Sequence, residues 1–379
     1  MKICLNLLAA YSGGQLTRAR EFIDRIDKQS IDVDLLVLKE KEFLSDLDQN
    51  KKISVINVRI KKGFFRPIRR VIWENVCLQK IFLENKCEIY LTFSHYLPKN
   101  ISLKFPSMVG VSNLAPFSKQ AWKAESLIAK IRLFFLKKTI ISSCKRASKV
   151  LALSKECKRI LINYDVDKSK IFVSSNGVSS FWGKVSRTDC ITEYNFKKPF
   201  ILYVSHFHNY KNYKNLVIAY SKLSKKYKEK YNLILIGNPD NKKCYREINS
   251  LVKKLNLTSQ ILLLPGLNRE SLRRFYQRAD LFVFASLIEN SPNILLEAMM
   301  SEAPILSSNI EPMPEFCENA AYYFDPLNIE EISLSIENLL SSPNLRFNMK
   351  RMSKTQAKKF SWEKFTNTIL EQISNVKKI

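Results

Sequence analysis

The stretch ASLIENSPNILLEAMMSEAPILSSN, residues 285–309, changes its hydrophobic pattern twice. An apolar run, DLFVFAS (280–286), leads into it and predicts a buried strand. A short loop with Glu289 follows, and a helix is expected to begin near Pro292, because Ser291 suits the N-cap and proline suits the first helical position. The segment PILSSN (304–309) at the end begins with apolar residues and predicts another strand. Strand, helix and strand in this order predict a parallel βαβ unit.

The same alternation extends in both directions along the chain. Short apolar runs separated by amphipathic helical patterns predict parallel sheets that are covered on both faces. We therefore expect an α/β protein of two doubly wound Rossmann-like domains facing each other across a cleft, with the ligand at the carboxyl ends of the strands. The predicted strands are KICLNLL (2–8), VDLLVL (33–38), ISVINV (53–58), EIYLTF (88–93), SMVGVS (107–112), KVLALS (149–154), KIFVSS (170–175), PFILYVS (199–205), NLILIG (232–237), QILLLPG (260–266), DLFVFAS (280–286), PILSSN (304–309) and AYYF (321–324).

The length of the chain supports this division into two domains. A chain of 379 residues exceeds what one hydrophobic core usually covers. The polar stretch 183–197 separates the two series of strands. We predict a first domain over residues 1–185, a second over residues 196–358, and a last helix within 359–379 that packs back on the first domain.

The net charge of +27 is concentrated in one part of the chain, since residues 51–150 hold 21 basic and 4 acidic residues. Such a field favours a polyanionic partner, either nucleic acid or an anionic lipid surface. A solvated lysine-rich surface is the alternative. Two segments interleave cations with apolar side chains. They are RIKKGFFRPIRRVIW (59–73), with Phe64, Phe65 and Trp73, and WKAESLIAKIRLFFLKK (122–138).

We expect the first of these segments to face an anionic membrane through Arg66, Arg69 and Arg70, with its aromatic residues at the headgroup level. A nucleic-acid groove would use similar residues, and the apolar side of the second segment could equally be domain core. We do not expect a nucleic-acid partner, because no recognised binding motif is present. The scattered cysteines and the lack of an apolar run of ~20 residues predict a cytosolic protein without a membrane span. We place it on the inner face of the cell membrane.

Two glutamates, Glu289 and Glu297, are separated by seven residues in ENSPNILLEAM, which is followed by AP (303–304) and PEFCENAAYYFDP (314–326). These segments resemble the family-4 retaining glycosyltransferases of GT-B fold. The resemblance implies that Glu289 contacts the transferred sugar and that Glu297 contacts the ribose of the nucleotide. It also implies a UDP- or GDP-sugar donor bound by the second domain. The first domain would hold a glycan or lipid-linked acceptor, in surface polysaccharide or glycolipid biosynthesis.

The resemblance extends to the residues that hold the donor. In VSHFHNYKN (204–212), Lys211 matches the family's pyrophosphate lysine, whereas His206 stands where the family has an arginine. A histidine is a weaker and pH-dependent cation. The other donor-binding candidates are the glycine loop, the glycines that follow two strands, and the start of the helix after Glu289; they are Gly13, Gly14, Gly237, Gly266, Asn290, Ser291 and Asn293. Each of these glycines could also serve an ordinary strand-end turn.

The catalytic residues of the first domain are less defined. Many relatives have a histidine after the strand that reads SMVGVSNLAPF here, and this chain has Ser112 and Asn113 instead. Asn113 could hydrogen-bond a sugar hydroxyl. His95, in TFSHYLP, could take an acceptor-side role or make a structural hydrogen bond. We expect no metal cofactor: Asp165-Val166-Asp167 has the spacing of the Asp-x-Asp pair that holds a divalent ion in other transferases, but it lies between a predicted helix and a predicted strand, away from the predicted cleft.

Two other functions share some of these features. A sugar-nucleotide 2-epimerase uses the same fold, but the glutamate spacing disfavours it. A non-enzymatic, basic nucleic-acid-binding protein would fit the charge alone.

For the transferase, we expect Glu289→Ala to abolish sugar transfer with the fold intact, and Glu297→Ala to weaken nucleotide binding.

Overall fold

The computed structural model describes residues 1–10, 13–28, 32–42, 44, 47, 52–63, 65–185 and 198–376. The chain divides into two compact units. Unit 1 contains Met1–Phe117, Lys130–Asn176 and Trp362–Ile379, and unit 2 contains Ser118–Ala129 and Gly177–Ser361.

Unit 1 is built on a parallel sheet of seven strands in the order β3-β2-β1-β4-β5-β6-β7. Central strands such as β5 are buried along their whole length, as strands covered on both faces must be. The strands are β1 (Lys2–Asn6), β2 (Asp34–Lys39), β3 (Ile53–Asn57), β4 (Ile89–Thr92), β5 (Ser107–Val111), β6 (Lys149–Ala152) and β7 (Ile171–Val173). The helices between them are α1 (Gly14–Lys28), α2 (Arg66–Glu84), α3 (Lys99–Ser102), α4 (Lys119–Ala124), α5 (Leu127–Arg146) and α6 (Lys155–Ile162).

Unit 2 is built on a parallel sheet of six strands in the order β10-β9-β8-β11-β12-β13. Its strands are β8 (Phe200–Val204), β9 (Asn232–Ile236), β10 (Ile261–Leu264), β11 (Leu281–Phe284), β12 (Ile305–Ser308) and β13 (Ala321–Phe324). The remaining helices are α7 (Tyr213–Lys222), α8 (Lys225–Lys230), α9 (Lys242–Lys254), α10 (Arg269–Arg278), α11 (Asn293–Met300), α12 (Met313–Cys317), α13 (Ile329–Ser341), α14 (Pro343–Ala357) and α15 (Trp362–Val376). The prediction of two parallel-sheet Rossmann-like domains is confirmed.

The last helix, α15, packs on unit 1 although unit 2 precedes it in the chain. Its buried side chains Trp362, Phe365, Ile369 and Ile373 join the core that contains β1 and β4. The Phe365 ring lies 5.9 Å from the Phe93 ring. Sequential position alone would have assigned this helix to unit 2.

The division of the chain differs from the sequence-based boundaries in two places. Residues 118–129 and 177–185 group with unit 2, although we assigned them to a first domain over 1–185. The segment between β5 and β6 forms two helices, α4 and α5, because Glu125 adopts an extended conformation and ends α4. Most of the polar stretch 183–197 lies outside the described residues.

Two further expectations concern the membrane and the cysteines. Across the described part of the chain, no helix combines the length and the apolar character that crossing a bilayer requires. The seven cysteines that the structure describes are free thiols.

Candidate active site

The loops that follow β8 and β11 meet, because these two strands are neighbours in the sheet of unit 2. The backbone N–H of Leu287 donates to the Tyr210 carbonyl at 2.8 Å and joins the two loops. Beside this bond, Lys211 Nζ lies 2.5 Å from Glu289 Oε1. Two residues that are far apart in sequence therefore form one ion pair at the carboxyl edge of the sheet, where ligands bind in this class of fold.

Lys211 and Glu289 are shielded from water, with side chains that are 11% and 14% exposed. Burial alone would lower the pKa of Lys211, but the Glu289 carboxylate and the Tyr210 side chain outweigh it and hold that pKa above its usual value. The Lys211 ammonium also lies 5.2 Å from the centre of the Tyr210 ring. This lysine therefore stays charged and fixed in position at neutral pH.

The backbone around Lys211 is held by neighbouring side chains. The Tyr203 hydroxyl, on β8, donates to the Lys211 carbonyl at 2.6 Å. The next residue, Asn212, has a left-handed φ of 61° and donates from its side chain to the Pro326 carbonyl at 2.7 Å. Asparagine tolerates this conformation better than most residues do. These contacts direct the lysine toward Glu289 before any ligand binds.

His206 is paired with a carboxylate that we did not predict. Its Nδ1 lies 2.8 Å from Asp240 Oδ2, and both side chains are partly exposed, at 40% and 48%. Asp240 follows β9, the other neighbour of β8 in the sheet. His208 stacks on Tyr210, and its pKa is lowered by burial and by the nearby Lys211. The family's arginine position thus holds a histidine whose nearest charge is negative.

Gly237 and Gly266 have a packing role. A Cβ atom at Gly237 would lie 1.7 Å from the Ser205 carbonyl oxygen, and a Cβ at Gly266 would lie 2.4 Å from Asn238 Oδ1. At Gly237 only glycine lets the loops after β8 and β9 approach so closely, because the neighbouring atom is backbone, whereas the close neighbour of Gly266 is a side chain. Their role as donor-binding residues stays a prediction.

The glycine loop after β1, which contains Gly13 and Gly14, does not have this packing role. Gly13 has a φ of 62°, and a Cβ atom added there would meet no described atom within 4 Å, so backbone conformation alone favours glycine at this position. Gly14 is the first residue of α1 and is exposed. Residues 11 and 12, just before this loop, lie outside the described residues.

The helix after Glu289 begins one residue later than we predicted. Pro292 has a ψ of 88°, outside the helical range, so it is the N-cap, and Asn293 is the first helical residue. The expectation that Ser291 is the N-cap and Pro292 the first helical residue was therefore wrong. Asn290 is buried, and Ser291 and Asn293 are partly buried beside it. The first residue of α11 still lies only four residues after Glu289.

Glu297 lies in the second turn of α11, and its neighbours differ from those of Glu289. Its Oε2 lies 3.5 Å from the Tyr276 hydroxyl on α10. Burial raises the pKa of Glu297 from an ordinary 4.5 to about 8, against the opposing influence of Arg269 and Tyr276. The Arg269 guanidinium in turn lies 4.8 Å from the centre of the Phe181 ring. Sequence reasoning did not identify Tyr276, Arg269 or Phe181.

The two predicted catalytic residues of unit 1 lie at the carboxyl ends of β4 and β5. His95 Nδ1 is buried, and no group in the described residues hydrogen-bonds to it. Burial and the nearby Arg70 lower the pKa of His95 to about 4, so the imidazole is neutral at physiological pH. Asn113 Oδ1 accepts from the Ala115 N–H at 2.9 Å and stabilises a turn. Its amide N–H groups remain the part that a sugar hydroxyl would contact.

A buried arginine that we did not predict lies beside Ser112. Arg18 Nη1 donates to Ser112 Oγ and Arg18 Nε donates to Asn176 Oδ1, both at 2.7 Å. Ser112 Oγ in turn donates to the Phe93 carbonyl at 2.5 Å. Burial lowers the pKa of Arg18 to about 9. A single arginine in the first part of α1 gave no signal in the sequence for this network.

The three arginines predicted to face a membrane all make intramolecular contacts, and one of them is buried. Arg70 is buried and its Nε lies 3.6 Å from Glu74 Oε2. Arg66 Nη2 lies 2.8 Å from Glu40 Oε2, and Arg69 Nη1 donates to the carbonyls of residues 61 and 62. This expectation is wrong for Arg70, because the helix turns that side chain toward the sheet. Phe64, from the same segment, lies outside the described residues.

Acidic, histidine and cysteine side chains are the usual protein ligands of a metal ion. In the ranges that the structure describes, no group of three or more of them is arranged to hold a metal ion. Independence from metal stays a prediction.

Known proteins resemble this chain in sequence and in fold. Serotype-specific mannosyltransferase WbdA of Escherichia coli is 26% identical over 247 residues, which cover 63% of this chain and 30% of WbdA. O-antigen chain mannosyltransferase RfbU of Salmonella typhimurium is 27% identical over 300 residues, which cover 78% of each protein. The chain thus spans about a third of WbdA.

Solved structures match nearly the whole chain. Sucrose-phosphate synthase of Thermosynechococcus elongatus superposes with a TM-score of 0.80 at 16% identity, covering 99% of both chains. Anabaena HepE in complex with UDP-glucose superposes with a TM-score of 0.75 at 14% identity, covering 99% of this chain and all of HepE. At these identities the likeness concerns the fold alone.

Two family models divide the chain between them. The model described as Glycosyltransferase Family 4 matches residues 12–180, and the one described as Glycosyl transferases group 1 matches residues 190–356. Each model falls on one of the two parallel-sheet folds, and the second contains the Lys211–Glu289 pair. The chain therefore belongs to the family-4 glycosyltransferases of GT-B fold.

Proposed function

We propose that this chain is a retaining hexosyltransferase that moves a sugar from a UDP- or GDP-sugar to a glycan or lipid-linked acceptor. The observation that carries the proposal is the partly buried Lys211–Glu289 ion pair at the carboxyl ends of β8 and β11. The names of the relatives, O-antigen and serotype-specific mannosyltransferases, support a role in surface polysaccharide biosynthesis. HepE, which shares the fold, binds UDP-glucose.

The ion pair suggests how the chain's own residues would act. An ammonium group has three donors, and Glu289 accepts from one of them. The others can bind the diphosphate and stabilise the charge that develops on it when the sugar departs. The N-terminus of α11, which is the positive end of its helix dipole, would also stabilise the charge on the diphosphate. Glu289 would hold the sugar while the acceptor attacks the face that the nucleotide leaves, so that the anomeric configuration is kept.

Glu297 would bind the nucleotide at a distance from the reacting bond. With a pKa near 8, its carboxyl group is largely neutral at pH 7 and can both donate to and accept from ribose hydroxyls. Arg269 and Tyr276 hold the carboxyl group in place from α10. Asn290, Ser291 and Asn293 would line the space between the two glutamates.

We propose that the transfer needs no divalent metal ion, because Lys211 and the helix start supply the positive charge that a metal would otherwise supply. Turnover should be unchanged after dialysis against EDTA. Loss of turnover in EDTA that added Mg²⁺ or Mn²⁺ restores would contradict this proposal.

We also propose that the chain works as a peripheral protein on the inner face of the cell membrane. The charge of residues 51–150, 21 basic against 4 acidic, supports attraction to anionic lipid. This placement would bring the enzyme to a lipid-linked acceptor.

The proposed function is tested in two steps. A thermal-shift screen with UDP, GDP and their sugars identifies the donor, because a ligand that binds the folded state raises apparent stability. The anomeric configuration of the product is then determined by NMR. A product with inverted configuration contradicts the retaining mechanism, and stabilisation by none of these nucleotides contradicts the transferase assignment.

A further inference from the structure

Three helices of unit 1, α2, α3 and α5, form one layer on the same face of the sheet. They connect β3 to β4, β4 to β5 and β5 to β6, which are steps in one direction along the sheet. Right-handed crossovers place such connections on a common face. Hydrogen bonds link the layer: Asn100 Nδ2 to the Asn75 carbonyl at 2.7 Å, and Arg146 Nη2 to the Leu97 carbonyl at 2.6 Å. The outer surface of this layer is called the α2–α5 face below.

The α2–α5 face carries an unusual number of exposed apolar side chains. The structure describes nineteen large hydrophobic residues as exposed, and nine of them lie in this layer within unit 1. Their exposed fractions range from 45% to 79%. They are Phe65, Ile68, Ile72, Val76, Leu83, Leu103, Ile131, Phe134 and Phe135. Clustered exposure of this kind marks an interaction surface.

Helix α2 shows that this exposure follows a pattern. Ile68, Ile72 and Val76 are four residues apart, so they form a row within an arc of about 80° on the outer side. The buried residues of α2 lie on other sides: Arg70 and Glu74 are about 160° from the centre of this row, Leu78 about 120° and Phe82 about 80°. The outer row is therefore a second apolar stripe, which the core of unit 1 does not cover.

Helix α5 repeats the arrangement with aromatic residues. Ile131, Phe134 and Phe135 project outward, and the two phenylalanine rings lie 5.7 Å apart in an edge-to-face contact. The Lys138 ammonium lies 4.5 Å from the centre of the Phe134 ring. The inner side of the same helix buries Ile140 and Cys144. A helix that is apolar on both sides needs a second partner.

The charge of this layer selects the partner. Helix α5 contains six cations and no acidic residue; Lys145 pairs with Asp165 and Arg146 contacts Leu97, and the other four cations are at positions 130, 132, 137 and 138. A second copy of the chain would place these cations against one another, which like-charge repulsion opposes. A nucleic acid would pair with the cations but would leave the aliphatic and aromatic rows exposed to water. An anionic bilayer satisfies both, because its phosphates meet the cations and its headgroup–acyl boundary covers the apolar rows.

We propose that the α2–α5 face docks on an anionic lipid bilayer by inserting the apolar rows of α2 and α5 at the headgroup level. The proposal rests on the proposed function, since a lipid-linked acceptor requires the enzyme at a membrane. It differs from docking through Arg66, Arg69 and Arg70, which are held by intramolecular contacts. Binding should weaken with salt but persist in part, because the inserted side chains are not screened.

The test is sedimentation of the full chain with vesicles of phosphatidylglycerol and phosphatidylcholine, and with vesicles of phosphatidylcholine alone. We expect binding to the anionic vesicles only. Phe134→Ser with Phe135→Ser, and separately Ile68→Ser with Ile72→Ser, should each reduce binding at least about tenfold, because apolar burial in the bilayer is lost. The matched control is Leu334→Ser with Phe347→Ser, two exposed apolar residues of unit 2 whose replacement should leave binding unchanged.

Thermal stabilisation by UDP and GDP is measured on the same samples, so that the two proposals fail separately. Variants that lose vesicle binding but keep nucleotide stabilisation support the docking face. Undiminished vesicle binding in both double variants would overturn the docking face. A wild type that does not bind vesicles but forms concentration-dependent dimers, which the double variants abolish, would also overturn it. A wild type that binds vesicles but no nucleotide would leave the docking face standing and contradict the transferase assignment.

Discussion

Lys211 and Glu289 form an ion pair at the carboxyl edge of the sheet of unit 2. The carboxylate and the ammonium are both largely withdrawn from water and lie 2.5 Å apart. A carboxylate in a strand-end loop predicts, from sequence alone, that Glu289→Ala leaves the fold intact. In the structure the same substitution would leave a buried lysine without this carboxylate.

We therefore expect Glu289→Ala to lower the free energy of unfolding by about 3 kcal/mol, since breaking a buried ion pair leaves an uncompensated charge. Chemical denaturation measures the loss. The double variant Lys211→Met with Glu289→Gln, which removes both charges, should regain most of it. Equal stability of wild type and Glu289→Ala would show that the pair contributes nothing to folding.

The catalytic part of the assignment is tested with Glu289→Gln, which keeps the shape and a hydrogen-bond acceptor. Sugar transfer should fall by about 100-fold or more, because the charge near the reacting sugar is lost. The measurement is turnover with the donor found in the thermal-shift screen. A variant within about threefold of wild type, ~0.7 kcal/mol, would remove Glu289 from the reaction.

The raised pKa of Glu297 predicts that the stability of the protein depends on pH. The folded-state pKa of about 8 lies above the ordinary 4.5, so the contribution of Glu297 is fully present below pH 4.5 and is lost as the pH rises through 8. Compared with Glu297→Gln, wild type should lose stability between these values, by at most about 1.4 kcal/mol per pH unit. Denaturation curves at several pH values measure the difference. A difference that is flat with pH would mean an ordinary carboxylate.

The same protonation state has a consequence for binding. At pH 7 glutamine resembles the neutral carboxyl group, so Glu297→Gln should bind the nucleoside diphosphate better than Glu297→Ala does. Titration calorimetry compares the two variants, and equal affinities would place Glu297 outside the site.

At the scale of elements, the loops after β8, β9 and β11 could be predicted from the sequence, because strand ends and glycines are local signals. The loop that carries Glu289 was found in this way, whereas Lys211 and Gly237 were assigned through the family resemblance. Asp240 and Tyr276 were not found, because their contacts with His206 and Glu297 bring together elements that the sequence does not order. These contacts can be recognised only when the arrangement of the strands and helices in space is known.

Helix α2 shows two sequence signals that point in different directions. The dense charge of the segment 59–73 predicts a cationic surface. Helical spacing instead places Arg70 on the same side as Glu74, Leu78 and Phe82, four residues apart, which is the side facing the core. Burial raises the pKa of Glu74 even with Arg70 nearby. Periodicity was therefore a better guide than charge density.

Gly237 gives a prediction for the packing of these loops. Gly237→Ala would drive a methyl group into the Ser205 carbonyl, 1.7 Å away, so the loops after β8 and β9 must separate. We expect a loss of more than about 2 kcal/mol in the free energy of unfolding. Gly13→Ala is the matched control. It meets no neighbour among the described atoms and should lose only about 1 kcal/mol through its positive φ. The reverse order of the two losses in denaturation would contradict the packing role.

At the scale of the whole molecule, the chain order and the folded units do not coincide. Unit 1 is completed only by α15, after all of unit 2 has been synthesised. The core of unit 1 includes four buried side chains from this helix, and it surrounds the strands that end near His95 and Asn6. Folding of unit 1 therefore depends on residues near the end of the chain.

Phe365 tests this dependence most directly. It is 1% exposed and packs against the rings of Phe93 and Trp362 at 5.9 and 5.5 Å. Phe365→Ala should lower the free energy of unfolding by about 3–5 kcal/mol, because it opens a cavity in the core. Phe347→Ala, at a side chain that is 64% exposed on α14, should change it by no more than ~0.5 kcal/mol. Chemical denaturation compares the two, and nucleotide stabilisation of unit 2 should survive in both. If Phe365→Ala were as stable as Phe347→Ala, α15 would rest on unit 1 without supporting it.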